Sequence, residues 1–144
     1  MIYIDTSCLI KLLVREPESA SVRELVNRED TVIVSSLAEL EAEIQLKAGY
    51  LGGQFRASQW REHLSKLAAL RNFQPFRFVS LGGAIFQTAL RQNRRAGEIH
   101  CRTMDRLHLG AMEELGSRRI MTNDDPQATA ARDLGFEVVL PARS

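Results

Sequence analysis

Short runs of β-branched and aromatic residues alternate with longer helical stretches along the whole chain, and this alternation restricts the fold more than any other feature. Strand-like runs occur at Ile2-Tyr3-Ile4, Thr31 to Val34, Phe76 to Val79, Arg119 to Thr122 and Phe136 to Leu140. Between them, helices are expected over Thr6 to Val14, from Pro17 or Glu18 to Asn27, over Ser36 to Ala48, Ala57 to Leu70, Ser80 to Asn93, Arg102 to Leu115 and Pro126 to Leu134. Ser35 or Ser36 offers an N-cap, and Gly49, Gly116 and Gly135 offer stops. Strands separated by helices cannot pair as hairpins. They form βαβ units, with a parallel sheet covered on both faces. The expectation is one α/β domain over residues 1–144, a three-layer α/β/α sandwich around a central parallel sheet.

A chain of 144 residues buries about two-thirds of its unfolded surface, enough for a core without staples. Cys8 and Cys101 are too few for a disulfide framework or a zinc site and read as small buried hydrophobes. The formal charge of +1 does not announce a nucleic-acid binder, so any affinity for phosphates must come from local patterning. No long apolar stretch suits a membrane span. The first strand begins at Ile2 with no room for a basic leader, so a cytoplasmic location is expected.

Carboxylates break the pattern at four places. In open parallel sheets, ligands sit beyond the carboxyl ends of the strands. The first strand runs into Asp5, and the fourth runs into Asn123-Asp124-Asp125. Capping of the next helix competes as an explanation, above all for Asp125, which precedes Pro126. On the helix from Ser36, a wheel of about 100° per residue puts Leu37, Leu40, Ile44 and Ala48 on one face. Glu41 falls at its edge, while Glu39 and Glu43 point away. On the helix from Arg102, the arc of Met104, Leu107, Ala111, Met112 and Leu115 contains His108 and has Asp105 at its edge; Arg106 and Glu113 face outward.

Gathered carboxylates repel unless a cation joins them. Oxygen donors without a His/Cys cluster suit Mg²⁺ or Mn²⁺ rather than zinc, and such a site suits phosphodiester hydrolysis. Other phosphoryl chemistries fit poorly. The only lysines are Lys11, Lys47 and Lys66, none placed for a receiver-type phosphoacceptor, and Thr6-Ser7 follows Asp5 where a haloacid-dehalogenase-type site needs Asp-x-Asp. No Gly-rich phosphate loop is present.

At these residues the chain resembles PIN-domain ribonucleases, specifically VapC-type toxins of toxin–antitoxin pairs. The resemblance rests on Ile2 to Ser7, on Ser35 to Glu41, on Thr103 to Leu109 with its Asp-x-x-His-Leu order, and on Thr122-Asn123-Asp124. It implies the three-layer fold and Mg²⁺- or Mn²⁺-dependent endoribonuclease activity through a metal-activated water. It implies that Asp5, Glu41, Asp105 and Asp124 are the metal-binding and catalytic residues. Thr6 and Thr122 would steady the acids, and His108 would be a structural hydrogen-bonder. Glu39 and Asp125 remain competitors of Glu41 and Asp124.

The resemblance also implies an RNA substrate, a cognate antitoxin and a homodimer; no membrane partner is expected from the apolar pattern. Arg91, Arg94, Arg95, Arg102 and Arg106, with His100, give a local basic excess suited to RNA phosphates or to an antitoxin. The segment around Leu37 to Leu70, with Leu51, Phe55 and Trp60, is a candidate antitoxin groove; Trp60 could instead be core or stack a base. A PIN-like interaction module without catalysis, or an RNA-processing nuclease outside a toxin–antitoxin pair, are the alternatives.

Overall fold

The structure is a computed structural model and describes residues 1–143. Its sheet has five parallel strands in the order β3-β2-β1-β4-β5, with β1 Ile2–Ile4, β2 Val32–Ser35, β3 Phe76–Val79, β4 Arg119–Met121 and β5 Glu137–Val139. The helices are α1 Thr6–Leu13, α2 Ser19–Asn27, α3 Ser36–Leu51, α4 Ala57–Ala69, α5 Ala84–Arg95, α6 Thr103–Leu115 and α7 Asp125–Asp133. A short 3₁₀ turn at Leu70–Asn72 leads into β3.

Strand side chains alternate between the faces of the sheet, and this sorts the core into two layers. Ile2, Ile4, Val32, Val34 and Met121 pack against α1, α2, α3 and α4 through Leu9, Val22, Ala38 and Leu67. Tyr3, Ile33 and Ile120 pack on the other face against α5, α6 and α7 through Ile85, Leu109 and Ala130. The three-layer arrangement expected from the alternation is therefore present.

β1 lies between β2 and β4. The chain leaves β1 to build the sheet outward on one side through β2 and β3, then returns to build the other side through β4 and β5. The carboxyl ends of β1 and β4 thus flank the topological switch point, where loops diverge and leave a crevice.

Several local expectations are corrected. α3 runs through Gly49 to Leu51, and its buried face is Ala38, Ala42, Leu46 and Gly49. Leu40 and Ile44 are 56% and 59% exposed. The face that α3 turns inward is mostly small residues, with Leu46 among them and Phe55 over Gly49, so larger apolar residues of the wheel are left outside. α5 begins only at Ala84, because the Leu81 N–H donates to Ser36 Oγ (3.0 Å) and ties the segment before the helix to the start of α3. α5 runs past the expected end at Asn93, and Arg94 and Arg95 form its last turn.

On α6 the buried set includes Arg106, which the helical wheel had turned to solvent, while Met104 is 40% exposed. Gly110 explains the rotation. A Cβ there would meet the Ile85 carbonyl at 3.1 Å and Ala89 at 3.3 Å, so α6 presses its glycine side against α5.

Candidate functional site

The four carboxylates reach one place from both layers of the sandwich. Asp5 follows β1 and Asp124 follows β4; Glu41 comes from α3 on one face, and Asp105 from α6 on the other. All four line a single cleft of about 460 Å³, together with Thr6, Ser7, Gln45, Arg102, Thr103 and Met104. The competing acids are elsewhere. Glu39 is held in a two-pronged ion pair with Arg71 (2.7 and 2.5 Å), and neither Glu39 nor Asp125 lines the cleft.

Helix capping does not account for the strand-end acids. Asp5 and Asp124 occupy the N-cap positions of α1 and α7, but neither side chain makes a cap hydrogen bond. Asp125 is the first residue inside α7 rather than its cap. The Asp5 and Asp124 carboxylates are therefore free for other work, with the positive ends of two helices behind them.

Each acid has its own support. Asp5 is 4% exposed, and its Oδ2 accepts from Thr122 Oγ1 (2.7 Å) and Ser7 Oγ (3.0 Å). The same two hydroxyls accept from backbone: the Asn123 N–H donates to Ser7 Oγ (2.9 Å), and the Asp124 N–H to Thr122 Oγ1 (3.1 Å). This net ties the ends of β1 and β4 together and orients Asp5. Glu41 Oε1 accepts from Thr6 Oγ1 (2.9 Å) and is hydrogen-bonded to His108 Nε2. In all, Thr6 and Thr122 contact the acids as the sequence suggested, and His108, 1% exposed, is a hydrogen-bonder.

Tyr3 and Ser7 were assigned no role at the site from the sequence, and Ser35 only that of a helix cap. The Tyr3 hydroxyl lies 2.6 Å from His108 Nδ1 and 2.7 Å from Ser35 Oγ. His108 thus stands between the Tyr3 hydroxyl at Nδ1 and the Glu41 carboxylate at Nε2. A chain of buried hydrogen bonds then runs Ser35–Tyr3–His108–Glu41. The available signal was a tyrosine inside an otherwise aliphatic central strand, since a buried phenol needs a partner.

The electrostatics distinguish the acids. Burial pushes Glu41 up, but the hydrogen bond and charge of His108, the Thr6 hydroxyl and the charge of Arg102 outweigh it and hold Glu41 below the usual carboxylate range. Burial raises Asp124, reinforced by the charge of Asp105 and opposed by Arg102. Arg102 bridges the latter two acids: Nε donates to Asp105 Oδ2 (2.9 Å) and Nη2 to Asp124 Oδ2 (2.8 Å).

The donor set is all oxygen and fits a hard divalent cation. A positive group already sits between Asp105 and Asp124, in the form of the Arg102 guanidinium. Asp5 Oδ1 and Glu41 Oε2 accept no hydrogen bond among the described residues. No group of three or more His, Cys, Asp or Glu side chains among the described residues is already drawn together around a single point. Mg²⁺ usually keeps several waters and takes only one or two carboxylates directly.

Comparison with known proteins identifies the family to which this fold belongs. The family model described as PIN domain matches residues 2–133. The chain belongs to the PIN-domain family. Among curated relatives, this PIN domain is 32% identical over 143 residues to Ribonuclease VapC46 of Mycobacterium tuberculosis, covering 98% of each chain. Among solved structures it is similar to M. tuberculosis VapC20, described as a sarcin-ricin loop cleaving toxin, with a TM-score of 0.72 at 20% identity over 98% of this chain and 100% of that one. VapBC2 from Rickettsia felis, bound to a DNA fragment from their promoter, gives a TM-score of 0.72 at 14% identity, covering 99% of this chain and 100% of that chain. The two structural matches speak for the PIN fold alone.

Proposed function

We propose that this PIN domain is a divalent-metal-dependent endoribonuclease and the toxin of a toxin–antitoxin pair, acting in the cytoplasm. The observation that carries the catalytic part is the meeting of Asp5, Glu41, Asp105 and Asp124 in one cleft at the switch point of the sheet. The relation to VapC46, named a ribonuclease, supports RNA as the substrate and the toxin role.

Asp5, Glu41, Asp105 and Asp124 would hold Mg²⁺ or Mn²⁺. Such a cation, when bound, activates water toward phosphorus and neutralises charge on the phosphate and the leaving oxygen. The chain's own groups prepare that chemistry. Ser7 and Thr122 fix one oxygen of Asp5 and leave the other turned free. Thr6 and His108 hold Glu41 ionised, as an acceptor for a proton from water. Arg102, already inside the cleft, supplies a guanidinium for a non-bridging phosphate oxygen.

Cleavage of total RNA by the purified protein tests this reading, with chelator and with Asp5→Asn. Activity that needs Mn²⁺ or Mg²⁺ and vanishes in Asp5→Asn is expected. Undiminished cleavage by Asp5→Asn would remove the site assignment, and no RNA cleavage under any metal would remove the enzymatic reading.

A second copy of the chain and an antitoxin complete the proposal. In the α3–α4 region Leu51 is 72% exposed, whereas Trp60 is stacked on Tyr50 (4.7 Å, 3° between planes) and Phe55 packs edge-on against His63. Leu51, at the end of α3 and more exposed than Leu40 and Ile44 of the same helix, is thus placed to meet an antitoxin, and Leu51→Asp should weaken its copurification.

A further inference from the structure

Arg106 is the least comfortable residue in the molecule. It is 6% exposed, yet its Nε and Nη1 are buried without any hydrogen-bond partner, and no carboxylate pairs with it among the described residues. A buried guanidinium left unpaired is costly, and native structures seldom keep one without a use. Nothing in the hydrolytic site employs it. Arg106 instead lines a second cavity, of about 360 Å³, walled by Phe86, Ala89 and Leu90 of α5, Leu107 of α6 and Thr103. That volume lies within the range of about 300–1,000 Å³ typical of small-ligand sites.

Two features connect this cavity to the catalytic cleft. Thr103 lines both, so the two spaces share a wall. Arg106 follows Asp105 directly, and Arg102, one turn earlier, already reaches two of the acids. A strand held in the cleft therefore has the second cavity as its neighbour across Thr103.

The walls say which part of a nucleotide belongs there. Phe86 is 55% exposed and Leu90 48%, an apolar surface that repels a phosphate and welcomes the flat face of a base. The guanidinium asks for acceptors, and guanine is the base that presents two adjacent ones, O6 and N7, to an arginine. Asn93 on the rim adds an amide that can donate or accept. A protein side chain with a carboxylate would also satisfy Arg106. The shared wall and the Arg102 guanidinium in the adjoining cleft favour the polyanion that the cleft already calls for.

We propose that the cavity between α5 and α6 is a guanine-binding subsite next to the scissile phosphate, with Arg106 reading the base edge and Phe86 stacking its face. This rests on the ribonuclease reading above and deepens it, because it names a feature of the RNA that the enzyme selects.

The test measures binding of short single-stranded RNAs to the Asp5→Asn protein, in which the strand stays intact. Two oligonucleotides are compared, an all-uridine strand and the same strand with a single central guanosine. The guanosine strand is expected to bind about tenfold more tightly. In Asp5→Asn/Arg106→Met the ratio should fall to about one while the all-uridine affinity stays within about twofold, since a base contact and not a phosphate contact is lost. Phe86→Ala, at an exposed position that folding tolerates, should lower the guanosine affinity in the same direction.

A ratio of one in Asp5→Asn itself, or a ratio unchanged by both Arg106→Met and Phe86→Ala, overturns the subsite while leaving the nuclease reading intact. Failure of either strand to bind at all overturns both. Unchanged RNA binding together with a changed sedimentation coefficient in Arg106→Met assigns the cavity to a protein partner and likewise overturns the proposal.

Discussion

Arg102 Nη2 lies 2.8 Å from Asp124 Oδ2, so a cation supplied by the chain itself holds a carboxylate of the cleft. The bond from Arg102 to Asp105, then the charges of Asp105 and Asp124, push the arginine further up than usual, and no change near neutral pH releases it. A divalent ion must therefore compete with the guanidinium for these oxygens. Arg102→Gln should tighten Mn²⁺ binding in a calorimetric titration several-fold, while RNA cleavage falls because the phosphate loses a donor. Weaker Mn²⁺ binding in Arg102→Gln would show that the guanidinium supports the metal site rather than competing with it.

Thr122 is fully buried and touches Asp5 through its hydroxyl alone. Thr122→Val keeps the shape and removes the bond. Losing such an orienting partner lowers metal affinity or activity by roughly 10- to 100-fold. Mn²⁺ affinity measured beside the turnover rate checks this, and wild-type values in both would discard the orienting role.

His108 stands between Tyr3 and Glu41. His108→Leu leaves the Tyr3 hydroxyl without one partner in a fully buried site, at a cost of about 1–3 kcal/mol in urea unfolding. Tyr3→Phe in the same background removes the orphaned hydroxyl, and the double variant should recover part of the loss. Strict additivity of the two changes would mean that the buried chain is not a unit.

Glu18 is 4% exposed and pairs with Lys11 at 3.0 Å, with Glu16 and Arg143 also nearby. The hydrogen bond from Lys11 outweighs burial and lowers the Glu18 carboxyl below its ordinary value. A lowered folded value means stability that is present above the unfolded value and lost as pH falls through the folded one. Wild type should thus exceed Glu18→Gln in urea midpoint at neutral pH, and the gap should close on acidification below the ordinary glutamate range. A gap that stays constant with pH would show that the Lys11–Glu18 pair contributes nothing through ionisation.

Gly110 is needed for space. A Cβ would press on the Ile85 carbonyl at 3.1 Å and on Ala89. Gly110→Ala gains helix propensity yet forces α5 and α6 apart, and a net loss of about 1–3 kcal/mol is expected. A gain in thermal midpoint would mean that the two helices separate freely.

The sequence by itself determined the layered parallel fold, because β-branched runs spaced by helix-length segments leave few other ways to bury both faces of a sheet. It also placed Asp5 at the end of the first strand and Asp124 or Asp125 at the end of the fourth, since strand ends are fixed by local pattern. Glu41 was picked from a wheel whose apolar arc was wrong: Leu40 and Ile44 face out, and small residues make the true interface. Glu41 stayed at the border of the buried face under either assignment. The same periodicity argument failed for Arg106, turned inward because α6 lays Gly110 against α5.

Only the tertiary structure decided that Arg102 bridges two acids, that Tyr3 reaches Glu41 through His108, and that Arg106 is buried without a partner. Each depends on contacts between residues far apart in the chain or on which face of a helix finds a neighbour. Periodicity measures the hydrophobicity of a face; the closeness of a neighbouring backbone, set here by one glycine, determines which face is buried.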